Sequence, residues 1–276
     1  MTWSLREDAL NRMLITAHRG VAGGNIPCNT LAAYDAALLQ GADMIEMDVA
    51  ASADGHLFAF HPGMEPAHLR SDKPIARMTA EEVSRLRFVN QDGTPTEMKV
   101  NTFDQVMEHL KGRCYINVDK YWENIGPITQ AIRRHGIQDQ ILVKTGPDES
   151  VFRAMEELAP DINYMVIIRE KDEISDLLMK RNLRYVGAEV LFATEDSEFA
   201  TAEYVRRMNG KGLIVWANAI VYDYRSVLTA GHNDDISVTG QPDQGWGWLM
   251  DRGYNIIQTD WPLMLRLYAE RREARA

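Results

Sequence analysis

Residues 14–49 read LITAHRGVAGGNIPCNTLAAYDAALLQGADMIEMDV. A short apolar run, 14–17, breaks at His18-Arg19-Gly20. Residues 30–40 carry a helical pattern, and a second apolar run, 44–49, contains Glu46 and Asp48. A strand, a helix and a strand in this order form a βα unit of a parallel sheet. No GxGxxG follows the first run, which argues against a dinucleotide-binding sheet.

The same alternation continues through the chain. Further apolar runs fall at 114–118, 141–144, 164–169, 185–191, 213–217 and 256–259, for eight in total. Helical patterns lie between most of them, at 103–110, 128–135, 149–158, 173–181 and 201–208. Eight such units in 276 residues predict a closed α/β (β/α)₈ TIM barrel, which needs about 250 residues. One domain is expected over 1–276. The rhythm breaks at about 50–100, where Asp54-Gly55, Pro62-Gly63, Pro66, Pro74 and Asp92-Gly93 are turn signals around one helical pattern at 79–88. This predicts a small insertion after strand 2. A second irregular stretch, 231–247, carries His232 and Trp246.

Thirty basic against 40 acidic side chains give a net charge of −10. That balance argues against general nucleic-acid binding and offers no attraction to anionic membranes. The two cysteines, Cys28 and Cys114, have no metal-type spacing. The opening residues lack a secretory signal pattern, and no run reaches the ~20 apolar residues of a membrane helix. A cytoplasmic enzyme without membrane insertion is expected. Oligomeric state is not legible.

Barrels of this kind carry their active sites at the C-terminal strand ends. Here those ends hold His18-Arg19, Glu46 and Asp48, Asp119-Lys120, Lys144, Glu189, Trp216 with Asn218, and Thr259-Asp260. Glu46 and Asp48 are two apart and so share one side of their strand. With Asp119 they make three oxygen ligands, a set that favours Mg²⁺ or Ca²⁺, or Mn²⁺, over zinc. His18 and His61 each end an apolar run, and imidazoles with pKa near ~6.5 can move protons at neutral pH. Arg19 can grip phosphate through two hydrogen bonds, or pair with Glu46 or Asp260. Lys120 offers a point charge to phosphate, and Lys144 is a weaker candidate for the same task. Trp216 is expected either to form an apolar wall for a substrate alcohol or to belong to the core. Glu189 is expected to bind a sugar hydroxyl or to pair with a lysine. His232 lies on a loop that could reach the mouth.

Together these motifs resemble the glycerophosphodiester phosphodiesterase family. The family pattern of HRG, PENT, E-x-D, a DG turn and HD is similar to His18-Arg19-Gly20, Pro27-Cys28-Asn29-Thr30, Glu46-Met47-Asp48, Asp54-Gly55 and His61. Its closing tryptophan strand and TD-x-P are similar to Trp216-Ala217-Asn218 and Thr259-Asp260-Trp261-Pro262. The resemblance implies a (β/α)₈ barrel and one divalent cation on Glu46, Asp48 and an acid of the third strand. It also implies His18 and His61 as general acid and base, and phosphate binding by Arg19. Three positions depart from the pattern. Cys28 replaces a glutamate, Pro62 replaces the aspartate after the second histidine, and Asp119-Lys120 replaces E-x-K. Adjacent strand residues point to opposite sides, so Asp119 and Lys120 can both face inward only if the strand ends or bends there.

The expected reaction is hydrolysis of a small phosphodiester to a phosphomonoester and an alcohol. Two alternatives stand beside it. One is a sugar phosphodiester such as the opine agrocinopine, suggested by Trp246 and Trp248. The other is an inactive barrel that binds a sugar phosphate.

Overall fold

Strands buried on both faces read as unbroken apolar runs, because inward and outward side chains alike avoid water. The computed structural model describes residues 3–223 and 225–275. It contains β1 (Leu14–Ala17), β2 (Met44–Ala51), β3 (Leu57–Ala59), β4 (Arg87–Val89), β5 (Pro95–Lys99) and β6 (Tyr115–Asp119). These are followed by β7 (Ile141–Thr145), β8 (Asn163–Arg169), β9 (Tyr185–Leu191), β10 (Ile214–Asn218) and β11 (Ile256–Thr259). All eight expected runs are strands. In the parallel order β2-β6-β7-β8-β9-β10-β11-β1 they form a sheet, and pairing of β1 with β2 closes it into a barrel.

Side-chain alternation divides each strand between two environments. The outward residues Ile15, Ile45, Ile116, Val143 and Val166 pack in the layer between sheet and helices. The inward residues stack in levels. Leu14, Met44, Tyr115, Leu142, Met165 and Ile214 make an apolar floor with Trp216, and Leu5 and Ala9 of the helix Leu5–Asn11 plug it from below. Each such buried aliphatic side chain contributes about 1.5–3 kcal/mol. One level higher the inward positions turn polar, with Glu46, Asn117 and Lys144 all buried. The floor therefore stabilises the barrel, and the charged groups are confined to its upper end.

A register shift between β8 and β9 falls beside Gly187. Its φ is +153°, and a Cβ there would lie 1.8 Å from the Ile214 carbonyl oxygen, so only glycine lets β9 and β10 approach. This sets the height of Glu189 on the barrel wall.

Most expected helices form, including Leu31–Leu39, Phe103–Leu110, Ile125–His135, Glu149–Leu158 and Ala202–Gly210. The pattern at 173–181 yields only Ser175–Leu178, and that at 79–88 only Ala80–Ser84. Phe88 belongs instead to β4, which pairs antiparallel with β5. The Asn90 side chain accepts from the backbone N–H of Asp92 and Thr94 and so closes the turn between them. The insertion has its own small core of Phe58, Phe60, Ile75, Met78, Val83 and Phe88, and β3 joins it to the barrel as an antiparallel partner of β2. The helix Pro262–Glu273 follows β11 and was not apparent in the sequence pattern.

Candidate active site

The HRG motif is a turn rather than an extension of β1. Arg19 has φ 56° and Gly20 has φ 79°, and a Cβ on Gly20 would meet Ala33 at 2.7 Å. In this conformation the Arg19 backbone N–H donates to Glu46 Oε2 at 2.9 Å. The Arg19 side chain turns toward Asp48, with Nε 2.9 Å from Oδ2. Asn29, also left-handed at φ 57°, ties its loop to β2. Its Nδ2 donates to Asp48 Oδ2 at 2.8 Å, and its Oδ1 accepts from the Asp48 N–H and from the Tyr34 hydroxyl. Sequence reasoning noted Asn29-Thr30 as a motif without seeing that Asn29 orients Asp48. The neighbouring Thr30 caps the helix Leu31–Leu39 by accepting from the Ala33 N–H.

Carboxylate oxygens of Glu46, Asp48 and Asp119 lie within 4.8 Å of one another. Glu46 and Asp48 are buried, and Asp48 Oδ1 has no hydrogen-bond partner. Burial, reinforced by the charge of Asp48, pushes the Glu46 carboxyl up to about 7. Two buried acids and a partly buried third that crowd together and leave an acceptor unpaired are costly unless a cation joins them. An all-oxygen set fits a hard divalent ion.

The conflict at Asp119-Lys120 is resolved by the end of β6. Lys120 adopts φ 58°, which folds its side chain back so that Nζ lies 3.2 Å from Asp119 Oδ2. Both residues line the same cavity of about 210 Å³ as His18, Arg19 and Glu46. Burial works against Asp119 ionisation, but the charges of Lys120 and Lys144 prevail and hold its pKa below the ordinary value.

The two histidines are held differently. His18 Nδ1 is 2.9 Å from Asp260 Oδ1. Burial lowers its affinity for protons, but the Asp260 hydrogen bond and the charge of Glu46 outweigh that, so its pKa is raised. His61 Nδ1 donates to the Pro62 carbonyl at 2.8 Å. The proline that removes the expected aspartate thus supplies the orienting acceptor from its own backbone. A carbonyl can only accept, so in neutral His61 the proton sits on Nδ1 and Nε2 is the acceptor. Nε2 is buried without a hydrogen-bond partner, 3.9 Å from Asp48 Oδ1. Burial lowers the His61 pKa; Asp48 opposes this, while Arg19 and Lys120 add to it.

Asp260 is itself braced. Asp234 accepts from Trp246 Nε1 and Thr259 Oγ1 on Oδ1, and from the Asp260 N–H on Oδ2. The irregular stretch at 231–247 therefore supports the partner of His18. Trp246 is buried in that role, and Trp248 is stacked on His232 with ring centroids 3.8 Å apart. Neither tryptophan lines the cavity, and His232 pairs with Glu195 rather than reaching the mouth.

Lys144 and Glu189 meet each other, Nζ to Oε2 at 2.6 Å, on the cavity wall. Asn218 Nδ2 donates to Glu189 Oε1, and Trp216 Nε1 donates to Asn218 Oδ1. Trp216 is fully buried beneath Lys144, whose Nζ lies 3.8 Å from its ring centroid. It is part of the floor, the core alternative, and not an exposed alcohol wall. Cys28 has its Sγ 3.8 Å from His68 Nδ1, and burial pushes its thiol up to about 11. It is therefore a neutral thiol at physiological pH.

Residues 18–219 match the model of the glycerophosphoryl diester phosphodiesterase family. Over 88 residues the chain is 46% identical to a probable glycerophosphodiester phosphodiesterase 1 of Mycobacterium tuberculosis, covering 32% of this chain and 31% of that protein. A glycerophosphodiester phosphodiesterase of Caldanaerobacter subterraneus is 37% identical over 75 residues, covering 27% of this chain and 30% of that one. The matches thus span about a third of these relatives. A glycerophosphoryl diester phosphodiesterase from Parabacteroides distasonis superposes with a TM-score of 0.78 at 17% identity, covering 96% of this chain and 91% of the other. A phosphodiesterase from Oleispira antarctica, solved with the product sn-glycerol-3-phosphate, superposes with a TM-score of 0.69 at 18% identity, covering 95% and 99%. The barrel, the motif turns and the family match over 18–219 agree, and the chain belongs to the glycerophosphoryl diester phosphodiesterase family.

Proposed function

We propose that the protein hydrolyses a small phosphodiester of the glycerophosphodiester type to a phosphomonoester and an alcohol. The observation that supports this is a three-carboxylate cluster flanked by two differently tethered histidines, with His18 lining the same cavity as Glu46 and Asp119 and His61 Nε2 3.9 Å from Asp48 Oδ1. Glu46, Asp48 and Asp119 would hold one divalent cation, Mg²⁺, Ca²⁺ or Mn²⁺. When bound it would polarise the phosphate and offset its developing charge. Lys120 and the Arg19 guanidinium sit beside the carboxylates and would hold phosphate oxygens. His61, with Nε2 free to accept, would take the proton from the nucleophile. His18, whose hydrogen bond to Asp260 favours the protonated ring, would donate its Nε2 proton to the departing alkoxide. Lys144 and Glu189 neutralise one another and stiffen the cavity wall.

The nucleophile is water or a neighbouring substrate hydroxyl. Water puts ¹⁸O directly into the phosphomonoester, whereas a hydroxyl gives a cyclic phosphate first. The reaction itself is tested by incubating the protein with glycerophosphodiesters and bis-p-nitrophenyl phosphate in Mg²⁺, Ca²⁺ or Mn²⁺. Metal-dependent turnover abolished by Glu46→Gln, which keeps the acceptor for the Arg19 N–H, supports it. Full turnover in metal-free, chelator-treated protein would show that the carboxylates have another role. Trp246 and Trp248, which suggested a sugar substrate, do not line the cavity, whereas Trp122 and Tyr222 do, so a sugar phosphodiester belongs in the same assay.

A further inference from the structure

The cavity has two unlike halves. His18, Arg19, Glu46, Asp119 and Lys120 make a charged half. Across from the carboxylates, Ile167, Leu191, Ile220 and Leu228 make an apolar wall. A phosphate held by the first half leaves its ester alcohol to pack against the second. Glu189, Tyr222, Ser226 and Arg169 line the cavity on that side as well. Along β8 the inward positions run Met165 in the floor, Ile167 in the wall and Arg169 at the rim, so strand alternation points Arg169 into the cavity mouth.

The other cavity cations all have carboxylate partners: Arg19 has Asp48, Lys120 has Asp119, and Lys144 has Glu189. Arg169 has no ion pair and no side-chain hydrogen bond among the described residues. The aromatic residues of the cavity lining are Trp122 and Tyr222. Lys120 Nζ lies over the Trp122 ring at 5.1 Å, and Lys144 covers Trp216. A quaternary ammonium on the substrate would meet an unpaired guanidinium at the rim, whereas a carboxylate or phosphate would find a two-pronged donor.

We propose that Arg169 is a specificity residue that selects phosphodiesters whose alcohol ends in an anionic group over those that end in a cation. This rests on the phosphodiesterase reading above and narrows its substrate class.

The test uses three diesters of glycerol phosphate that differ in the second alcohol: 4-hydroxybutanoate, 1-pentanol and choline. Wild type is expected to favour the carboxylate over the neutral diester by about tenfold in kcat/KM, or about 1.4 kcal/mol, carried mainly in KM. The choline diester is expected to be the poorest. In Arg169→Ala the carboxylate-to-neutral ratio falls to about one. In Arg169→Glu the order inverts, and Arg169→Lys retains part of the preference. Raised salt shrinks the wild-type ratio, since the guanidinium is exposed. Choline turnover equal to or better than carboxylate turnover in wild type, or a ratio unchanged in Arg169→Ala, overturns the inference and leaves the phosphodiesterase reading standing. No hydrolysis of any of the three, or of bis-p-nitrophenyl phosphate with the three cations, overturns both.

Discussion

The carboxylate cluster should make the barrel's stability depend on divalent cations, and Glu46→Gln should weaken that dependence while stabilising the metal-free barrel. Glu46 is buried beside Asp48, and its pKa rises from 4.5 to about 7 on folding. An acid raised in this way favours folding most below its unfolded pKa. Its contribution falls as pH rises from 4.5 and is fully unfavourable above about 7. The shift corresponds to about 3 kcal/mol at pH 8 without metal. Glutamine has no charge to bury and keeps an oxygen for the Arg19 N–H. An unfolding entropy of about 2.1 cal/mol/K per residue gives about 0.6 kcal/mol/K for 276 residues, so 1 kcal/mol moves Tm by about 1.7 °C. In chelator at pH 8, Glu46→Gln should therefore melt up to about 5 °C above wild type. A cation at 100 times its Kd adds about 2.7 kcal/mol to wild type, again about 5 °C, and much less to the variant. Differential scanning calorimetry in EDTA and in Mg²⁺, Ca²⁺ or Mn²⁺ measures both effects. A wild-type Tm indifferent to all three cations, or a Glu46→Gln variant less stable than wild type in EDTA, would refute the reasoning.

Asp260→Asn removes the charge that favours protonated His18, so the alkaline limb of the pH–rate profile should move to lower pH, with kcat reduced by about 10²-fold or more; an unmoved limb means His18 is not the acid. Lys144→Met strands buried Glu189 and should cost about 3–5 kcal/mol, lowering Tm by about 5–9 °C, while adding Glu189→Leu restores much of the loss; equal melting of the single and double variants would contradict this. Gly187→Ala should give little folded protein, because its Cβ would overlap the Ile214 carbonyl; circular dichroism and yield check it.

Strand positions were legible because barrel strands are apolar on both sides, and the charged residues at their ends then stand out. Depth was not. Trp216 and Asn218 share the inward face of β10, but one step of two residues, about 7 Å, separates the buried floor from the cavity wall. A strand pattern reports side and not height, so Trp216 read equally as a substrate wall or as core. The partners of the two histidines were also hidden. Asp260 reaches His18 across 242 residues of chain, and the carbonyl that orients His61 is invisible in a one-letter code. At 79–88 an amphipathic pattern suggested one helix, yet Phe88 is needed in the insertion's core and the Asp92-Gly93 turn lets β4 and β5 pair.

Lys120 shows how far the sequence went, because a strand that ends or bends at Asp119 was foreseen from alternation alone. What alternation could not show is that the same device occurs three times. Arg19, Asn29 and Lys120 are all left-handed non-glycine residues, at φ 56°, 57° and 58°. Left-handed backbone costs such residues about 1–2 kcal/mol each and persists only where contacts enforce it. The contacts are distinct: Arg19 N–H to Glu46, Asn29 Nδ2 to Asp48, and Lys120 Nζ to Asp119. Each acid of the cluster thus holds one strained turn, and each turn delivers a donor to one acid. An alanine at Glu46 would remove a charge and release the HRG turn together, which confounds metal binding with positioning of His18. Glutamine at Glu46 and asparagine at Asp119 keep an acceptor and remove only the charge. A loss of cation-dependent stability in those two isosteric variants, with the barrel still folded, therefore reports on the ligands and not on the turns they hold.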